Sequence, residues 1–183
     1  MFIQTEQTPN PATLKFIPGV NVMGRGTADF PSIEGSERSP LAQVLFDVPG
    51  VRAVFLGSDF VTVSKDDARD WQTLKPMILG AIMDHFMAGR PVMLDGGVDD
   101  ADDGAEDSEV VSQIKELLET RVRPAVAQDG GDIVFRAFED GVVYLSMQGA
   151  CAGCPSSTAT LKMGVENMLR HYIPEVEAVY PVP

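Results

Sequence analysis

Apolar residues recur along this chain in short blocks separated by Gly, Pro and Asp clusters, and the spacing within each block separates strand from helix. After the turn chemistry of Gln7-Thr8-Pro9-Asn10-Pro11, Leu14-Lys15-Phe16-Ile17 reads as a short strand ended by Pro18-Gly19. Residues 20 to 38 read as loop. Ser39-Pro40 has the chemistry of an N-cap followed by proline at the first helical position, and it opens a short helix through Leu41, Val44 and Leu45 that Pro49-Gly50 stops. Val51 to Leu56 and Phe60 to Ser64 form two apolar strands joined across Gly57-Ser58-Asp59. Asp70 starts a longer helix carrying Trp71, Leu74, Ile78, Ile82, His85 and Phe86, with Pro76 near its start or at a kink, and Gly89-Arg90-Pro91 closes it.

The second half repeats the logic after an interruption. Asp95 to Asp107 holds Asp95, Asp99, Asp100, Asp102, Asp103, Glu106 and Asp107 among Gly and Ala, with almost nothing to bury, and reads as a flexible acidic linker; its residues do not fit the alternation of a calcium loop. Ser108 then caps a helix bearing Val110, Val111, Ile114, Leu117, Leu118 and Val122, with Pro124 near its end and Gly130-Gly131 as terminator. Ile133 to Phe138 and Val142 to Met147 pair as a hairpin across Glu139-Asp140-Gly141. A last helix starts at Pro155 with Leu161, Val165, Met168, Leu169 and Tyr172 on one face; Pro174 stops it, and Val176 to Tyr180 adds a final strand. The expected fold class is α+β: two small α/β-layered domains, 1–90 with three strands and two helices, and 108–183 in the order α-β-β-α-β, joined by the linker 91–107.

Composition narrows the function. The 183 residues, 44% of them apolar, suffice for one or two cores, and no apolar run approaches the ~20 residues that span a bilayer. The net charge of −13 repels phosphate backbones and anionic lipid, so neither nucleic acid nor membrane is an expected partner. The start, Met1-Phe2-Ile3-Gln4-Thr5-Glu6, lacks the features of a signal peptide or of an Arg-rich transit peptide. The expectation is therefore a cytoplasmic, bacterial protein, with the mitochondrial matrix left open.

The chemistry converges on Gly149-Ala150-Cys151-Ala152-Gly153-Cys154-Pro155, which holds the only two cysteines, spaced C-x-x-C. A strand precedes them and a helix follows, so free N–H groups and the positive end of a helix dipole favour an anionic thiolate complex. Dithiol redox chemistry uses the same local setting but normally follows a βαβ unit, whereas here the preceding strand comes from a hairpin. Zinc and cubane iron–sulfur clusters both take four ligands, and the two histidines add none: His85 lies in the other half and His171 more than four helical turns past Cys154, each reading as an ordinary helix residue. Two cysteines from each of two chains around a twofold axis solve the count, with dithiol redox and a zinc-bridged dimer as alternatives. Met77, Met83, Met87 and Met93 read as core filling rather than a docking surface, Trp71 as packed, and Gly130-Gly131 as backbone geometry.

Arg123-Pro124-Ala125-Val126-Ala127-Gln128-Asp129-Gly130-Gly131-Asp132-Ile133, followed by the cysteine motif through Ser156-Ser157, resembles the C-terminal domain of NifU-like (Nfu family) iron–sulfur cluster carriers, from about Ser108 to the end of the chain. Gln7 to Gly19, with Asp70-Trp71 and Leu74-Lys75-Pro76, resembles the Nfu N-terminal domain and carries no ligands. The resemblance implies a non-enzymatic carrier that takes a 4Fe-4S cluster (2Fe-2S being the alternative) from an upstream scaffold and passes it to apo-proteins. Cys151 and Cys154 are the implied cluster ligands, with no catalytic residue, and the chain is expected to be a monomer when empty and a homodimer when loaded. Ala152 stands where many relatives have Ser, a side chain that is not a ligand, and the extra cysteines of the long multi-domain scaffolds are missing.

Overall fold

The computed structural model describes residues 2–8, 10–24, 27–94, 108–150 and 155–182. The whole acidic segment, Asp95 to Asp107, and both Cys151 and Cys154 lie outside the described residues. The chain divides into two compact units, residues 1–100 and 101–183, each with its own core. Helices and sheets occur in both units, so the fold is α+β.

The first unit is a five-stranded antiparallel sheet with two helices. Its strands are β1 (Gln4–Gln7), β2 (Thr13–Ile17), β3 (Ala28–Phe30), β4 (Val51–Leu56) and β5 (Val61–Lys65), in spatial order β1-β2-β5-β4-β3. Helices α1 (Pro40–Phe46) and α2 (Trp71–Met87) supply Leu41, Ala42, Leu45, Leu74, Ile78 and Ile82 to a core whose sheet side is Leu14, Phe16, Val54, Leu56, Val61 and Val63. Ser39 caps α1 as its chemistry predicts: its Oγ accepts from the Ala42 N–H at 3.0 Å and donates to the Val92 carbonyl at 2.6 Å, tying the chain beyond α2 to the start of α1. Trp71 is partly buried and donates its indole N–H to the Pro11 carbonyl at 3.1 Å.

Five strands stand where three are expected. β1 is the polar stretch Gln4-Thr5-Glu6-Gln7, an edge strand held by pairing with β2, so no apolar alternation marks it. β3 falls within the expected loop of residues 20 to 38; it is three residues long and buries only Ala28 and Phe30. The methionine expectation also fails in part: Met77 is 37% and Met87 73% exposed on α2, while Met93 does pack against the core.

In the second unit, α3 (Glu109–Leu117) starts at Ser108, whose Oγ accepts the Val111 N–H at 3.3 Å. It continues through one wide π turn (Leu118–Val122) into α4 (Arg123–Gln128). The reason is Pro124: its ring would collide with the carbonyl four residues back, and it has no N–H to offer. One extra residue in the turn relieves this, and the Arg123 N–H donates to the Leu118 carbonyl, five residues back. The antiparallel pair β6 (Gly131–Glu139) and β7 (Val142–Gly149) follows, then α5 (Pro155–Tyr172) and β8 (Ala178–Val182), which runs parallel to β7. Ile114, Leu118, Val122 and Val126 from the first helical stretch and Val165, Leu169 and Ile173 around α5 meet Ile133, Val143, Leu145 and Val179 of the sheet. The last strand starts two residues later than expected. Tyr172, expected on the buried face of α5, is 49% exposed beneath the Arg121 guanidinium, 5.2 Å from its ring centre, and Ile173 takes the core position.

His85, near the end of α2, is only 1% exposed, and neither ring nitrogen makes a hydrogen bond of normal geometry. Burial, reinforced by the Arg90 charge, pushes its pKa below the usual 6.5, against the opposing pull of the Arg90 and Pro91 backbone. The unfolded chain therefore takes up the proton first as pH falls, and the first unit loses stability below pH 6.5 down to the lower folded value. Urea unfolding followed by Trp71 fluorescence should show a lower midpoint at about pH 5.5 than at about pH 7.5, and His85→Leu should flatten that difference. An equal pH response in both proteins would contradict the assignment.

Candidate metal centre

The cysteine motif is bracketed by elements that the local sequence dictates. β7 ends at Gly149, which takes φ +64°, a left-handed conformation that a Cβ disfavours. α4 ends at Gln128 with Asp129 as its C-cap, and Gly130 just beyond takes φ +80°, so Gly130 does serve backbone geometry at a helix end. The two glycine segments face each other: Gly131 pairs with Gly149 and Asp132 with Gln148 in the β6–β7 register. The Ala150 N–H then donates to the Gly130 carbonyl at 3.2 Å, and Ala150 is buried, 2% exposed. Cys151 follows Ala150 directly in the chain, and Cys154 directly precedes Pro155, the first residue of α5.

Next to Gly131 on β6, Asp132 forms a partly buried ion pair with Arg123. Arg123 donates through Nε to Asp132 Oδ1 at 2.9 Å and through Nη2 to Asp132 Oδ2 at 2.8 Å, a two-pronged fork. Its Nη1 reaches the exposed Glu119 Oε2 at 2.8 Å. Asp132 is 3% exposed, and its Oδ1 also accepts the Ile133 N–H at 2.8 Å. Hydrogen bonding to Asp132 raises the already high pKa of Arg123 against the opposing effect of burial, so this cation is permanent. Both residues lie in the motif that resembles the Nfu family, where no sequence pattern assigns either a role.

His85 belongs to the other unit, and His171, at the far end of α5, is exposed with its ring edge-on to Tyr172 at 4.9 Å. Among the described residues no group of three or more His, Cys, Asp or Glu is placed to hold a metal ion, and no helix is long and apolar enough to cross a membrane. The arrangement around the motif suits a soft-metal site: a thiol pair in sequence between a braced strand end and a helix start whose first N–H groups have no partners within the helix.

Comparison with known proteins places this frame. Residues 3–89 match the family described as scaffold protein Nfu/NifU N terminal, and residues 114–180 match the NifU-like domain. The chain belongs to the Nfu/NifU family. It is 55% identical over 184 aligned positions to the "NFU1 iron-sulfur cluster scaffold homolog, mitochondrial" of Drosophila willistoni, and 55% identical to the protein of the same description from Drosophila persimilis. All of this chain is covered in both, but only 64% and 65% of those relatives, so it spans less than two thirds of their length. A solution structure of a NifU-like protein from Saccharomyces cerevisiae is 28% identical with TM-score 0.47, covering 52% of this chain and 86% of that one. The relatives' mitochondrial names overturn the expectation of a bacterial cytoplasmic protein and point to the mitochondrion.

The glycines give a direct test. Gly149→Ala or Gly130→Ala should destabilise the second unit by about 1–2 kcal/mol, the penalty for a Cβ in the left-handed region. Gly164→Ala, on α5 where a Cβ meets nothing within 4 Å, should instead stabilise by about 1 kcal/mol. Urea midpoints read from amide signals of this unit would check both; the same sign at all three positions would contradict the assignment.

Proposed function

We propose that this protein is a non-enzymatic carrier in iron–sulfur cluster assembly, in which Cys151 and Cys154 from each of two copies ligate one labile 4Fe-4S cluster that is then passed to apo-proteins. The observation that carries the reading is the C-x-x-C pair set between the braced end of β7 and the start of α5, in a chain whose two units match the two Nfu/NifU domains. Two thiolates are too few for a tetrahedral cluster, and a second copy makes up the count. Four thiolates around a core of formal charge two plus leave a dianion, a charge that the positive end of α5 and nearby backbone N–H groups stabilise.

A cluster held between two chains is exposed at its edge. A recipient's thiolates displace Cys151 and Cys154 one at a time, and departure of the cluster removes the bond between the copies. Binding and release thus use the same four sulfurs. An upstream scaffold supplies the cluster, and the N-terminal domain (1–90), which holds no candidate ligand, selects or shields partners across the acidic linker (91–107) that joins it to the cluster domain (108–183).

Anaerobic reconstitution with ferrous iron and sulfide should give a brown protein, and Cys151→Ala and Cys154→Ala should each abolish stable uptake. Full iron and sulfide loading of Cys151→Ala would refute the ligand assignment. A colourless zinc-loaded dimer, or a metal-free protein whose cysteines cycle through a disulfide and reduce a test substrate, would replace this reading with the zinc or dithiol alternative.

A further inference from the structure

The Arg123–Asp132 pair is an expensive way to hold a fold together, because its carboxylate is buried while the guanidinium keeps part of its contact with water. Taking a carboxylate out of water costs several kcal/mol, and well-packed apolar side chains often serve stability as well. What such a pair does supply is a fixed geometry, because the planar fork accepts the carboxylate in one orientation. Its location gives that geometry a use. Asp132 sits in β6 opposite Gln148, one register position from the Gly131–Gly149 pair and two residues from Gly130, whose carbonyl holds the Ala150 N–H at 3.2 Å. Ala150 is the last described residue before Cys151. On the other side, Arg123 is the first residue beyond the π turn, and the extra residue in that turn changes the helical phase at which Arg123 leaves the axis by about 100°. Turns of this kind recur at functional sites.

We propose that Arg123 and Asp132 form a positioning pair for the cysteine motif: by clamping the start of β6 to α4, they hold the Gly130 carbonyl where it fixes Ala150, and with it the point from which Cys151 departs. Neither residue touches the cluster; both act through the backbone. The cluster arm of this inference rests on the function proposed above, and the backbone arm does not.

Both arms are tested on the full chain with Asp132→Asn, which removes the charge and keeps the shape, and Arg123→Lys, which keeps the charge and removes the fork. Val179→Ala, at a fully buried β8 position of the same core, is the stability control. Hydrogen exchange of the apo-protein should show protection of the Ala150 amide falling about tenfold relative to the Val143 and Leu145 amides in both pair variants, and not in the control. In the reconstituted protein, cluster loss to an iron chelator should be about tenfold faster in the pair variants, the scale typical of residues that support metal ligands. Val179→Ala should lower the urea midpoint and leave the lifetime of the cluster unchanged. Ala150 protection that is unchanged, or that falls only in step with the whole strand, would overturn the proposal. So would a cluster lifetime that tracks the urea midpoint across all three variants. If the unmodified protein takes up no cluster, the carrier reading fails and the exchange measurement alone decides the positioning pair.

Discussion

The second unit is organised around one backbone constraint: the chain must leave a strand at Gly149, pass two thiols, and enter a helix at Pro155. A junction that short tolerates little play at its upstream end. The left-handed turn at Gly149, the register that sets Gly131 against it, and the bond from Ala150 to Gly130 all fix that end before Cys151 is reached. The hairpin supplies the register, and the core under it, from Ile114 through Leu145 to Leu169, keeps the hairpin against its helices. Downstream, an 18-residue helix anchored by Val165 and Leu169 fixes the other bank. Packing, backbone conformation and the proposed chemistry thus meet at one strand end.

Local chemistry made much of this legible in the sequence. Ser39 and Ser108 announced their helices because a cap is a contact across three residues, and the β6–β7 hairpin was marked by alternation and by Asp140-Gly141, both of which take positive φ. The cysteine pair stood out because soft ligands at that spacing have few other uses. What escaped was structure held by backbone pairing or by distant contacts. β1 is polar and exists because β2 offers it an edge; β3 is too short to show a period. The Arg123–Asp132 fork joins a helix to a strand nine residues on, a distance at which no periodicity relates two side chains.

Exposure was harder to read than helicity. Met77 and Met87 sit on a helix that forms as expected, yet face outward, since methionine at helical spacing does not say which side of the stripe it is on. Tyr172 failed for a related reason: at the end of α5 the buried phase passes to Ile173, and the ring is left to Arg121. His85 shows the reverse, a polar side chain committed to the core of the first unit and kept neutral by it.

In the proposed carrier, one cluster is shared by two copies of this chain through Cys151 and Cys154. Native mass spectrometry of the anaerobically loaded full chain measures this most directly, because it weighs protein and cluster together. The expected species is two chains plus a single four-iron, four-sulfide core, reverting to lighter apo-chains when a recipient takes the cluster. A loaded species containing only one chain, or a metal-free chain lighter by the two hydrogens lost to a disulfide, would contradict it.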